Sequence, residues 1–590
     1  MRKFCLLALL CPLLGWTQIH QPPNRILTGT IYQTTSGTPI HLVSLTLKKT
    51  GKKTRSDETG FFSLGNFTGK DTLIATHMGY QLLQISLDEN TAFPLRLFME
   101  PMVQNLEEVI VNTGYQTTPK ERATGSFVKI DNQLLERRVG SNILDRLDGI
   151  AGSLLFNRNR NPSVNESPIM IRGRSTLFAS TEPLIILDNF PYDADISTIN
   201  PNDIEDITIL RDASAASIWG VRAGNGVIVI TTKKGTQSAK PVFRFNMNST
   251  FNERPNLWYQ PVTDAREYMG LETFLFDRGH YNGRINTPHL SLSPLITMLA
   301  QRRAGIITAA DSLQLVNNLI QQDYRKDLYD HFYRPSMNQQ YALSMDGRHN
   351  LGQYHWAIGY DKNQGDLIGN QNERFTLRTR QHWQILPSKL ESTTDLTLTN
   401  TRTITYNDIT LTNYPIYTDL VDPQGTGLPV YRDYRSQWLD TIAQRQLLDW
   451  TYRPLDDRDH VSNRSMLTDL RLLQTFNYTF KKGWGLSLSY QWQQGNQHGH
   501  QHRSRQSYFT RDLINRFTVP NYITGVPTRQ VPIGGIMDRS ITQYYSHNLR
   551  LQMNYTTTIA EKHSITAVAG AEVRDYHNSN TSFRRYGYNE

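Results

Sequence analysis

The chain has 590 residues, 38% hydrophobic, 10% aromatic and 19% charged, with a formal net charge of +9. Beyond the first residues no run of about 18 apolar residues occurs, which excludes spanning helices but not barrel strands, whose alternation keeps mean hydropathy low. The Lys and Arg are scattered rather than clustered, which argues against nucleic acid as a partner, and the length allows roughly three or four ordinary domains.

Residues 1–16 place Arg2 and Lys3 before the apolar run FCLLALLCPLLGW, and polar TQIHQ follows. This is the three-part pattern of a secretory leader, so residues 1–18 are read as a signal peptide. Both cysteines of the chain, Cys5 and Cys11, lie inside it. The exported remainder is therefore expected to work without disulfide or thiolate chemistry.

Residues 26–100 read as a small all-β domain. The runs ILTGTIY, VSLTLKK, FFSLGNF, TLIATHM and LRLFME are separated by Gly, Asn, Asp and Pro turns. Gly29-Thr30, the stretch from Thr59 to Leu64 and Met78-Gly79-Tyr80 resemble the carboxypeptidase-regulatory-like β-sandwich. That resemblance implies a fold and no peptidase activity, and no His-Glu-x-x-His zinc spacing is present. A sandwich with an unspecified partner is the alternative for its role.

A linker, residues 101–119, follows. Its centre, Leu106, Glu107, Glu108, Val109, Ile110 and Val111, is a short β-prone run between polar flanks. A free extended strand of this kind can add to the sheet edge of a partner and transmit force along its length. A plain connecting strand is the other reading.

Residues 120–238 carry the most specific pattern. Two apolar runs, 183–187 and 226–232, flank a Gly- and Ala-rich turn region. A helix is expected at residues 141–147, capped by Ser141 with Asp145 in its first turns. Ile171-Arg172-Gly173, Leu187-Asp188, Asn200-Pro201-Asn202-Asp203-Ile204-Glu205, Leu210-Arg211-Asp212-Ala213 and Asn225-Gly226-Val227-Ile228 resemble the plug domain of TonB-dependent outer-membrane transporters of the SusC/RagA family. Asn189 stands where that family usually has Gly, and Trp219 where it usually has Tyr. Asn tolerates positive φ, so the turn is expected to survive. The resemblance makes residues 106–111 a TonB box and residues 120–238 a stopper that closes a barrel. Arg172, Arg174, Asp188, Asp203, Glu205, Arg211 and Asp212 are candidates for gating the plug against the barrel wall. Alternatively they satisfy turns within the plug.

From residue 240 to 590 the pattern is one of long alternating strands, read as a transmembrane β-barrel. Phe243, Phe245, Met247 and Phe251 share one face, and Arg244, Asn246 and Asn248 the other. Tyr354, Trp356, Ile358 and Tyr360 repeat this, as do Leu486, Leu488, Tyr490 and Trp492, and then Leu549, Leu551, Met553 and Tyr555. Period two with one apolar and one polar face fits a barrel wall, with very unequal connections, but a soluble sandwich alternates in the same way. Roughly eight such runs are fewer than the roughly 22 strands of a large plugged barrel, so the barrel is expected to be truncated here.

No Gly-x-Ser-x-Gly elbow, Walker loop or dinucleotide fingerprint is present, and Gly220-x-x-x-Gly224-x-Gly226 is read as a turn. His498, His500 and His502 share one strand face, a weak metal candidate without a carboxylate or cysteine at ligand spacing. Neither an enzyme nor a cofactor is expected. The fold class is thus mainly β: a sandwich, an α+β plug and part of a large antiparallel barrel. The resemblance implies an outer-membrane importer of a glycan or peptide. It implies TonB with its inner-membrane motor and a SusD-like surface lipoprotein as partners, outer-membrane lipid around the barrel and the N-terminal domain in the periplasm. Trp258, Tyr259, Tyr414, Tyr417 and Tyr431 are candidates for stacking on substrate. A non-transporting surface adhesin, or a siderophore or cobalamin receptor on the same fold, are the alternatives.

Overall fold

The computed structural model describes residues 25–34, 36–67, 69–102, 110–119, 125–157, 168–171, 181–212, 216–236, 238–406, 414–430, 432–442, 444–559 and 563–589. The leader lies outside them. The chain divides into two units, Met1–Val109 and Ile110–Glu590.

The first unit holds seven strands: β1 (Arg25–Gln33), β2 (Ser44–Leu47), β3 (Lys53–Arg55), β4 (Phe61–Phe67), β5 (Asp71–Thr76), β6 (Leu83–Leu87) and β7 (Leu95–Met99). They form sheets of order β4-β1-β7 and β3-β2-β5-β6. Alternate residues point inward, so Leu27 and Ile31 of β1 meet Leu45, Phe62, Leu73 and Leu97 in one core. Each buried side chain of this size contributes roughly 1.5–3 kcal/mol. Gly29 is required in β1, because a Cβ there would lie 2.6 Å from the Leu95 carbonyl oxygen.

The second unit begins with a hairpin of β8 (Ile110–Asn112) and β9 (Thr117–Pro119). Next come β10 (Phe127–Asp131), β11 (Leu155–Phe156), β12 (Ile169–Met170), β13 (Leu184–Leu187), β14 (Phe190–Pro191), β15 (Ile204–Leu210) and β16 (Val227–Thr232). The main sheet has the order β10-β15-β16-β13-β14. The two apolar runs anticipated from sequence thus pair directly and in parallel, Leu184 opposite Val227 through Leu187 opposite Ile230. They are uniformly apolar because both faces of the sheet are covered. Ile228 and Ile230 pack with Ile130, Leu147 and Ile207, while Val227 and Val229 pack with Ile186, Leu210 and Trp219.

Two short helices cover this sheet, Asn132–Glu136 and Ile143–Leu147. The second starts later than the sequence suggests, and its cap is Asn142, whose side chain accepts from the Leu144 amide at 3.0 Å. Ser141 is turned away from the helix because its hydroxyl accepts from Asn363 at 2.8 Å and its carbonyl from Arg374 at 2.6 Å.

The remainder is dominated by one antiparallel sheet: β17 (Val242–Asn252), β18 (Ser336–His349), β19 (Gly352–Gln364), β20 (Gln371–Leu386), β21 (Leu390–Thr405), β22 (Val461–Lys481), β23 (Trp484–Arg503), β26 (Gly535–Ile559) and β27 (His563–Tyr588). A small ribbon, β24 (Thr518–Val519) with β25 (Thr528–Arg529), lies in the connection before β26. Nine strands pair in a simple meander, one more than the sequence reading counts. Positions 350–351, 387–389 and 482–483 connect them at one end, and the connections between 252 and 336, 364 and 371, 405 and 461, and 503 and 535 lie at the other. The described residues of the long connections include five helices of eight residues or more. Helices Ala265–Asp277, Pro294–Arg303, Ala309–Ile320, Tyr324–His331 and Tyr508–Arg516 lie there, capped by Asp264, Ser293, Thr308, Asp323 and Ser507.

Burial in this sheet is inverted relative to a soluble protein. Apolar Phe243, Trp356, Leu377, Leu488 and Leu551 face outward and are exposed, while polar Asp361, Arg378, Asp395, Asp469, Gln493 and Asn548 are buried. A soluble sandwich would bury the apolar face. An apolar exterior around a polar interior is the arrangement of a wall that meets lipid. Among the described residues no helix is long and apolar enough to cross a membrane, which says nothing about strands.

Candidate functional site: the plug against the wall

The five-stranded sheet and its loops rest on the polar face of the wall. The hairpin between β13 and β14 makes the first contact. Leu187 pairs with Phe190, and the two residues between, Asp188 and Asn189, take φ of 48° and 75°. Positive φ at both central positions is the requirement of a type I′ turn, which is why Asn serves where Gly is usual. The turn aims the Asp188 carboxylate at the wall. One oxygen accepts from the Thr232 amide at 3.0 Å and hydroxyl at 2.8 Å, and the other from Arg471 Nη2 of β22 at 3.0 Å. Burial by itself raises the Asp188 carboxyl, but Arg471, with Arg378 and Arg380 beyond it, overrides burial and holds the group well below the usual carboxylate range.

Arg378 of β20 reaches the same corner. It donates to the Thr232 hydroxyl and, at 3.1 Å, to the Lys233 carbonyl, and is paired with Asp395 of β21 at 2.5 Å. A second cluster centres on Arg374. It is paired with Asp361 of β19 at 2.6 Å and donates to the carbonyls of Ser141 at 2.6 Å and Ser197 at 2.7 Å. Beside it Asn200 donates to Thr376 at 2.9 Å, and Arg146 of the plug donates to Asn202 at 2.8 Å. A third cluster places Arg550 of β26, paired with Glu572 of β27 at 2.7 Å, on the carbonyl of Gly114 at 3.1 Å. Arg574 of β27 pairs with Asp193 of the plug.

Three of the wall arginines share one design. Arg374, Arg378 and Arg550 each have a carboxylate partner within the wall, and the plug offers them chiefly backbone carbonyls. Lifting the plug exchanges those bonds for water and leaves no wall arginine of the three without its counter-charge. Leaving a buried charge unpaired is far more costly than exchanging a hydrogen bond with water. Arg471 and Arg574 differ, because their carboxylates, Asp188 and Asp193, belong to the plug; these two pairs hold the seat, and the other three arginines let the plug leave without losing a counter-charge.

The residues singled out from sequence distribute unevenly. Asp188 carries a carboxylate bonded to the wall. Asp203 sits under the plug sheet, where burial raises its carboxyl against the opposing effect of Arg378 and His355, and its carbonyl accepts from the Lys233 amide at 2.8 Å. Asp212 accepts from the Ser126 amide at 2.6 Å and the Arg211 amide donates to the Ser126 carbonyl at 3.0 Å, so this pair fastens β10 inside the plug. Glu205 is exposed. Arg172 and Arg174 lie outside the described residues.

Of the box, Leu106, Glu107, Glu108 and Val109 lie outside the described residues. Ile110 and Val111 are not a free strand. They pair with Pro119 and Thr118 in the β8–β9 hairpin, and Val111 is buried.

In the long connections Trp258 and Tyr259 are exposed, and Tyr414 lines a cavity of about 910 Å³ with Tyr268, Asp419 and Arg432. Tyr417 borders the same cavity but is fully buried, packed in the core and donating to the buried Glu272. Tyr431 lies outside the described residues. His500 and His502 stack with ring centres 6.5 Å apart, and no group of three metal-ligating side chains is found among the described residues. The wall arginines 374, 378, 471 and 550 were missed by sequence reasoning. Their signal was present as Arg at positions opposite the apolar face of a strand.

Residues 27–111 match the CarboxypepD_reg-like domain family, and residues 119–227 match the TonB-dependent Receptor Plug Domain family. The chain is 34% identical over 239 residues to the TonB-dependent receptor SusC of Bacteroides thetaiotaomicron, covering 39% of this chain and 23% of that protein. It is 27% identical over 349 residues to a TonB-dependent receptor of Formosa agariphila, covering 59% of this chain and 30% of that protein. In fold it is similar to the RagAB peptide importer in its open-open state, with a TM-score of 0.58 at 19% identity over 82% of this chain and 50% of that one. The closed-closed state gives 0.56 at 20% identity over 79% of this chain and 49% of that one. The two family models give the chain a CarboxypepD_reg-like domain and a TonB-dependent receptor plug domain, and with the likeness to SusC they support a receptor of the SusC/RagA type. The receptor chain spans about half the length of these solved relatives, and its match covers 23% and 30% of the two curated ones.

Proposed function

We propose that this receptor imports an oligomeric nutrient, a glycan or a peptide, across an outer membrane, with the plug as a stopper released by a pull on residues 106–111. The observation that carries this reading is the plug seated on the polar face of a wall whose other face is apolar. In barrels of this kind short turns lie on the periplasmic side and long loops outside. The end of the sheet with positions 253–335 and 406–460 then faces the exterior, where a SusD-like lipoprotein serves as lid. The N-terminal domain lies in the periplasm, within reach of TonB, and energy enters through that contact rather than through a reaction in this chain.

The similarity to the RagAB peptide importer and to SusC supports the importer class and leaves the cargo to experiment. Deleting residues 106–111 from the full-length gene is expected to abolish growth on the cognate nutrient while surface binding of that nutrient persists. Uptake at the wild-type rate in the deletion strain contradicts the role given to this strand.

A further inference from the structure

The hairpin that follows the box is pinned on two sides. Its turn is closed by a bond from the Thr113 amide to the Gln116 carbonyl at 3.0 Å, and Gly114 within it has φ of 88°. A Cβ at Gly114 would lie 2.6 Å from the Trp219 ring. On the plug side Trp219 Nε1 donates to the Thr113 carbonyl at 2.9 Å, and its ring lies 4.5 Å from that of Tyr115. On the wall side the Arg550 guanidinium lies 3.9 Å from the centre of the Tyr115 ring. The Tyr115 hydroxyl donates to Glu572 at 2.9 Å, and its carbonyl accepts from Gln552 at 3.0 Å. Burial, moderated by Arg550 and reinforced by Glu572, pushes the Tyr115 phenol up to about 12, so it stays a hydrogen-bond donor at physiological pH.

The order of loading follows from the topology. A pull applied before Ile110 acts on β8, while β9 continues into the plug. Both leave the hairpin at its open end, so the pairs Ile110–Pro119, Val111–Thr118 and Asn112–Thr117 peel one after another. Peeling one pair at a time resists little. The load then reaches the turn, where Tyr115 is held by the wall, before it reaches β10.

We propose that Tyr115 and Arg550 are positioning residues that latch the hairpin to the wall, and that this latch is the first contact with the wall to break under a pull. The assignment rests on the reading that force enters through residues 106–111. Its test does not. Full-length receptor in lipid is pulled from its N-terminal side in single-molecule force spectroscopy, alongside Tyr115→Ala, Arg550→Gln and Tyr115→Phe. The wild type is expected to show a rupture before the plug sheet unfolds. Tyr115→Ala and Arg550→Gln are expected to lose it, and Tyr115→Phe, which keeps the ring on the guanidinium, to retain it at lower force. In the same proteins hydrogen exchange of residues 111–118 should rise about tenfold or more in Tyr115→Ala, with β16 unchanged, because a desolvated cation–π contact is lost. An unaltered early rupture in Tyr115→Ala, or unaltered exchange there, overturns the latch. Intact uptake after deletion of residues 106–111 instead overturns the proposed entry of force and leaves the rupture result standing.

Discussion

Replacing Asp188 with alanine is expected to unseat the plug. Arg471 would keep its buried position beside the Leu187 carbonyl and lose the carboxylate that neutralises it, a change that costs about 3–5 kcal/mol when a buried pair is broken from one side. Asp469, two residues away on the same strand face, is held by Tyr544 at 2.7 Å and Gln493 at 2.8 Å and softens that cost only if those bonds rearrange. Alanine also fits the φ of 48° at this turn poorly. Asp188→Asn separates the two effects, since Asn accepts positive φ and removes only the charge. Both variants are expected to raise protease cleavage of the plug and ion leak through the full-length receptor in planar bilayers. Asp188→Ala combined with Arg471→Met is expected to recover most of the loss, because no unpaired charge remains. If Asp188→Asn leaks no more than the wild type, the pair fixes only the turn. The pH dependence has a definite sign. The folded carboxyl lies below its ordinary value of 3.8, so its contribution is present above that pH and fades as pH falls through the depressed value. The seat should therefore hold unchanged from neutral to mildly acid conditions and loosen only in strong acid.

Leu377→Arg is expected to damage the wall more than its exposed position suggests. Leu377 is 39% exposed and its neighbour Arg378 only 1%. In a water-soluble sheet a charge at Leu377 would change stability by about 0.5 kcal/mol or less. Facing the middle of a bilayer it costs about 2–4 kcal/mol. Folding of the full-length receptor into vesicles from urea separates the two cases. A midpoint equal to that of the wild type contradicts an apolar face that meets lipid.

The strand faces were legible because period two is written directly in residues such as Phe375, Leu377, Arg374 and Arg378. Which face is inside was not, because alternation has no sign until the plug covers one side. The parallel pairing of the runs around Ile186 and Val229 follows from their uniform apolarity, and the Asp188-Asn189 turn from the tolerance of Asn for positive φ. The contact of Asp188 with Arg471, 283 positions away, has no local trace. Ser141 passes every local test for a helix cap and fails because Asn363 and Arg374 claim it from the wall. The helices between positions 253 and 335 were not anticipated, although Thr308 and Asp311 form a capping box that sequence alone could have shown. Tyr417 and Tyr259 look alike in sequence, and only packing tells a core ring from an exposed one.

Transport as proposed requires that the plug leave its seat on the wall. Asn200 of the plug and Thr376 of β20 meet across that seat at 2.9 Å, both buried. Uptake by cells carrying the full-length receptor with Asn200→Cys and Thr376→Cys, compared oxidised and reduced and with cross-linking scored on a gel, tests it most directly. Uptake is expected to stop when the pair is cross-linked and to return on reduction; undiminished uptake through the cross-linked receptor means that the plug need not leave its seat.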